Sequence, residues 1–159
     1  SHCACGDESC VDPEHGSAVD FQPLSSLDGM YPIFQSGDYY LTKDVALVDD
    51  ITILADATLC LNGHQLILND NMITIETMES LIVCDCQGTG KIIGGNSVAI
   101  NLQGGRFTLN SGTITGSSVS TGNGVVYIDG LQSAFTMNGG ELTETRAAAC
   151  MLRVTEFLP

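Results

Sequence analysis

The 159-residue chain sets 19 acidic side chains against five basic ones, a net charge of −14, and holds 18 glycines and no tryptophan. So acidic a surface repels phosphate backbones and anionic lipids, which sets nucleic-acid binding aside. No stretch is long and apolar enough to insert in a membrane, and the length suits one domain with a modest core.

Residues 1–16 hold Cys3, Cys5, Cys10, His2 and His15, with Gly6 placed for a tight turn. Three sulfurs and one imidazole suit tetrahedral Zn²⁺, and a closed Cys₃His shell is structural rather than catalytic. The expectation is a small Cys/His knuckle in which Cys3, Cys5, Cys10 and His15 hold the metal, with His2 as the rival fourth ligand. The alternative is a disulfide: Cys3 and Cys5 are too close to bridge each other, so Cys10 would take one and strand the other.

Residues 17–37 carry Phe21, Pro23, Leu24, Leu27, Met30, Tyr31, Pro32 and Phe34 without a clear period. This stretch reads as an irregular amino-terminal cap over the first coil of a strand-rich body. Residues 38–146 then alternate apolar and polar positions, as strands with one buried face do. Tyr40, Val45 and Leu47 are the first expected inward residues.

One phrase occurs twice. Phe107-Thr-Leu-Asn-Ser-Gly-Thr-Ile-Thr115 returns as Phe135-Thr-Met-Asn-Gly-Gly-Glu-Leu-Thr143, and Leu59-Cys-Leu-Asn-Gly-His64 and Leu81-Ile-Val-Cys-Asp-Cys86 are weaker copies. Leu59, Leu81, Phe107 and Phe135 stand 22, 26 and 28 residues apart. Strand chemistry at a period in the twenties is the mark of a β-solenoid, in which each turn stacks on the next to bury its apolar face. The expected columns are Asn62, Cys84, Asn110 and Asn138, and Leu59, Leu81, Phe107 and Phe135. Residues 147–159 leave the motif as a last partial coil or a cap, an edge through which a second copy could pair.

Seven cysteines are many for a cytosolic chain. This alignment makes Cys60 and Cys84 diagonal neighbours one coil apart, so three readings arise. The plain one is small thiols in a ladder; a disulfide is the second. A second metal site from Cys60, His64, Cys84 and Cys86 is the third.

His2-Cys-Ala-Cys-Gly6, Gly37-Asp-Tyr-Tyr-Leu-Thr-Lys-Asp-Val45, Leu59-Cys-Leu-Asn-Gly-His64, Cys84-Asp-Cys86 and the Phe-Thr-x-Asn-x-Gly unit, in that order, resemble the head region of β-helical, adhesin-type cell-surface proteins of anaerobic gut bacteria. The resemblance runs to about Thr145. It implies an all-β, right-handed parallel β-helix in a secreted or wall-attached protein with no reaction attached to it. The absence of tryptophan from the lead-in and the tail after Arg146 depart from the pattern.

The expected function is therefore a non-catalytic extracellular module that binds glycan or a cell-surface protein, or serves as a stalk. Tyr31, Tyr39 and Tyr127 are its candidate stacking platforms. The alternative is a polysaccharide lyase or hydrolase. Such an enzyme needs clustered carboxylates and a base on one face, for which Asp85, Lys91 and Arg106 are the candidates.

Overall fold

The structure, a computed structural model, describes residues 21–24, 33–34, 36–116, 125–144 and 150–153. Among these, every regular element is a β-strand. The lead-in supplies β1 (Gln22–Leu24) and β2 (Ile33–Phe34). A first coil follows as β3 (Gly37–Leu41), β4 (Val45–Ala46) and β5 (Ile51–Ile53). The next is β6 (Ala57–Cys60), β7 (Gln65–Ile67) and β8 (Ile73–Glu76), then β9 (Ser80–Cys84), β10 (Lys91–Ile93) and β11 (Ile100–Gln103). The chain continues as β12 (Arg106–Leu109), β13 (Thr113–Gly116) and β14 (Val126–Asp129), and then as β15 (Ala134–Met137), β16 (Glu141–Glu144) and β17 (Cys150–Arg153).

Each strand pairs with its counterpart one coil away, and every strand pairing is parallel. Three sheets result, ordered β1-β3-β6-β9-β12-β15, β4-β7-β10-β13-β16 and β2-β5-β8-β11-β14-β17. The protein is a parallel β-solenoid. Strands β1 and β2 give the lead-in more regularity than its sequence shows, and β17 carries the third sheet past Arg146.

The core is a set of aliphatic columns, because a strand's inward residues repeat at every second position and the coils keep that parity. Ile51, Ile73, Ile100 and Val126 form one column, and Ile53, Ile75, Leu102 and Ile128 the next. Val45, Leu66, Ile92, Ile114 and Leu142 line the second sheet. Burying an aliphatic side chain contributes about 1.5–3 kcal/mol before chain entropy is counted.

In the first sheet the register differs from the expected one. Ala57, not Leu59, pairs with Leu81, and the column runs Gly37, Ala57, Leu81, Phe107, Phe135. Leu59 stands beside Val83 and Cys60 directly beside Cys84. The Asn column accordingly begins at Cys84, as Cys84, Asn110 and Asn138, and Asn62 is not part of it. The cause is unequal corners between the first and second sheets: residues 61–64, 85–90, 110–112 and 138–140 in successive coils. Asn62 and Gly63 make a left-handed corner (φ 51° and 77°), whereas the later corners turn at Gly112 and Gly140. Tyr39 rather than Tyr40 packs into the core, since inward parity puts it with Leu41.

Candidate functional site: thiols on the outer face of the first sheet

The residues facing away from the core on the first sheet include Tyr40, Cys60 and Cys84, in register on three successive strands. An outward position is normally wet, yet Cys60 and Cys84 are fully buried. They lie in a second apolar cluster with Phe21, against which Tyr40 and Cys86 pack. Among the described residues, Phe21, just ahead of β1, is the lead-in's contribution to it.

Cys86 arrives by a different route. It lies in the six-residue corner 85–90, whose residues contact the preceding coil. Its Sγ is 3.5 Å from Cys60 Sγ and 3.4 Å from Asn62 Oδ1. Asn62 is itself fixed by donating Nδ2 to Leu41 O at 3.0 Å. Three sulfurs thus gather at one place, with Cys60 at the centre and Cys86 half-buried at the rim.

The centre is electrostatically unlike an ordinary thiol. A hydrogen bond from the Cys84 thiol is the largest cause that lowers the Cys60 pKa. Burial pushes the other way, and hydrogen bonds from the backbone and thiol of Cys86 and the backbone of Asn62 add to the lowering; the value settles at about 5, from 9.0. A sulfur surrounded by donors holds its negative charge even where water is excluded.

Asp85, one residue before Cys86, is 2% exposed and is the hub of that corner. Its Oδ1 accepts from Gly63 N at 2.7 Å in the coil below, and its Oδ2 from Gly90 N at 2.6 Å in its own. Its own N donates to Ser111 Oγ at 2.7 Å in the coil above. Asp85, the candidate carboxylate of the alternative enzymatic reading, turns both oxygens to backbone amides inside the coil stack. The candidate bases are dispersed. Lys91 is on the second sheet between Gln65 and Thr113, and Arg106 opens β12 with Nη2 3.5 Å from Met78 O.

Four further corner acids behave alike. Asp44 Oδ1 accepts from Gln65 N at 2.9 Å and Asp50 Oδ1 from Met72 N at 2.9 Å. Asp70 Oδ1 accepts from Asn96 N at 2.5 Å and Asp56 Oδ1 from Ser80 Oγ at 2.6 Å. Each bond joins one coil to the next.

His64 does not join the sulfurs; its Nδ1 faces Asp44 Oδ1 at 3.5 Å. The set Cys60, His64, Cys84 and Cys86 is therefore reduced to its cysteines. Among the described residues no group of three or more His, Cys, Asp or Glu side chains has a metal-holding arrangement. Cys3, Cys5, Cys10, His15 and His2, along with Tyr31, lie outside the described residues. Tyr39 is buried and offers no platform, while Tyr127 is half-buried beside Asn101.

A shallow groove of about 600 Å³ runs along the corner between the third and first sheets, lined by Thr77, Gln103, Gly104, Asp129, Leu131 and Gln132. Leu131 and nearby Met78 are 76% and 72% exposed. No helix among the described residues is long and apolar enough to cross a membrane. No protein-family model, curated protein or solved structure matches this chain.

Proposed function

We propose that the chain is a non-catalytic structural or adhesive module of an extracellular cell-surface protein, a rigid stalk segment or a surface for glycan or protein. The observation that carries this reading is the use of the corner carboxylates. Asp44, Asp50, Asp56, Asp70 and Asp85 each accept a hydrogen bond from a neighbouring coil. A scaffold uses its acids this way, whereas a glycoside-cleaving site aims two carboxylates at the substrate. The likeness to β-helical surface proteins of gut anaerobes points in the same direction, as does the acidic surface. Zn²⁺ held by Cys3, Cys5, Cys10 and His15 would anchor the lead-in. Any glycan or protein would meet the open corner groove with its exposed Leu131.

The test pairs a glycan array with digestion of the same polysaccharides, monitored by new reducing ends and unsaturated uronates. Binding without turnover fits the adhesive form of the reading, and neither binding nor turnover fits the stalk. Turnover that disappears in Lys91→Ala overturns both.

A further inference from the structure

Cys60, Cys84 and Cys86 are more than ladder thiols. Ladder packing accounts for Cys60 beside Cys84, which are paired in register. It does not account for Cys86, which lies in the corner after β9, beyond the paired strand, and brings its sulfur to 3.5 Å from Cys60. A disulfide needs about 2.05 Å between sulfurs, so the two sulfurs are in contact but must still close on each other to bond.

We infer that these three cysteines form a thiol–disulfide exchange site whose substrate is a small organic disulfide, with Cys86 as the receiving thiol, Cys60 as the resolving one and Cys84 as the residue that positions Cys60.

The roles follow from exposure and surroundings. Cys86 alone of the three is reachable from solvent, while Cys60 is fully buried and Cys84 lies beside it. The Cys86 thiolate attacks one sulfur of R–S–S–R, forms Cys86–S–S–R and expels RS⁻, which takes up the proton that Cys86 gave up. The Cys60 thiolate then attacks Cys86 Sγ, forms the Cys60–Cys86 bond and expels the second RS⁻, which takes a proton from water, where the proton of Cys60 was already released. Two protein thiols are oxidised by two electrons and one small disulfide is reduced to two thiols. The donors around Cys60 keep its sulfur anionic near neutral pH, which is the form that the second step needs. The product staples the β6 coil to the corner after β9, outside the sheet, and excess small thiol reverses it.

The experiment treats the full chain with oxidised glutathione, quenches with an alkylating agent at timed intervals and maps the linkages by peptide mass. A transient glutathione adduct on Cys86 that converts to a Cys60–Cys86 bond is the expected course. Cys60→Ser, or Cys60→Ala where Ser disturbs the buried site, should trap the Cys86 adduct. Cys86→Ser, at the rim, should lower bond formation at least tenfold. Cys84→Ala should move the pH profile of the second step to higher pH while leaving adduct formation unchanged. The inference is overturned by linkage of any of the three to Cys3, Cys5, Cys10 or Cys150, or by a Cys60–Cys84 product. It is equally overturned by exchange no faster than in the urea-unfolded chain, or by bound zinc that blocks alkylation of all three.

Discussion

Asn138 donates its side-chain amide to Asn110 Oδ1 at 2.9 Å, one coil away. The two residues hold the same place in the repeated phrase, and stacking like over like turns a sequence repeat into a hydrogen-bonded ladder. The ladder is exposed at Asn138, so water competes with it. Asn138→Ala should therefore cost only about 0.5–1.5 kcal/mol in urea unfolding. A loss above about 3 kcal/mol would mean that the pair carries more than one exposed bond.

The apolar column behind that ladder should respond far more strongly. Phe107 is fully buried and its ring stacks on Phe135, with centroids 5.5 Å apart and 14° between planes. Phe107→Ala removes both the burial and the stack, for an expected loss of about 3–5 kcal/mol. Phe135→Ala, at a partly exposed ring, should cost less. Equal losses in denaturant titrations would contradict the column.

The middle of the fold is legible in the sequence because the two copies of the phrase have equal corners, 110–112 and 138–140, so aligning residues also aligns coils. Upstream that equivalence breaks. Asn62 resembles Asn110 in its neighbours, but its corner is longer and the next is longer still, so matching Asn to Asn places Cys60 two residues from its true neighbour. Tyr39 and Tyr40 are ambiguous for a simpler reason: two adjacent tyrosines carry no parity, and only Leu41 fixes which one points in. Alternation puts Cys84 and Cys86 on one face but does not bring Cys86 against Cys60, because that approach depends on how a six-residue corner closes around Asp85.

That corner yields a sharper prediction. Asp85→Ala strips the acceptors from Gly63 N and Gly90 N, and buried donors left unsatisfied cost about 1–3 kcal/mol each. Tm should fall by roughly 10 °C. Asp85→Asn keeps one acceptor oxygen and should fall by less. Gly90→Ala should destabilise through the same group, since a Cβ there would stand 2.6 Å from Leu61 Cβ and 2.7 Å from Asp85 Cγ. Should Asp85→Ala melt like the parent protein, the hub does not hold the coils.

The zinc proposal is checked apart from the sulfur cluster. Elemental analysis should find one Zn²⁺ per chain, and a chelator should lower Tm, because structural zinc lends on the order of 10 kcal/mol to the fold that it completes. Cys10→Ser and His15→Ala should each abolish the metal, while Cys86→Ser should not. Zinc-free protein with an unchanged melting curve removes the knuckle.

The ionisation of Cys60 has a sign that can be measured. Its pKa in the fold is about 5, against 9.0 for an ordinary thiol. Between those values the unfolded chain binds a proton at Cys60 that the folded chain does not, so stability rises with pH across the window. The contribution is complete above about pH 9 and is lost as pH falls toward 5. The acidic surface adds its own pH dependence, common to the parent and to a variant, so the difference between them isolates the thiol. Under reducing conditions, the urea midpoint of the parent minus that of Cys60→Ala should therefore grow steadily from pH 5 to pH 9. A difference that stays flat, or shrinks as pH rises, would show that the Cys84 and Cys86 hydrogen bonds do not hold Cys60 as a thiolate.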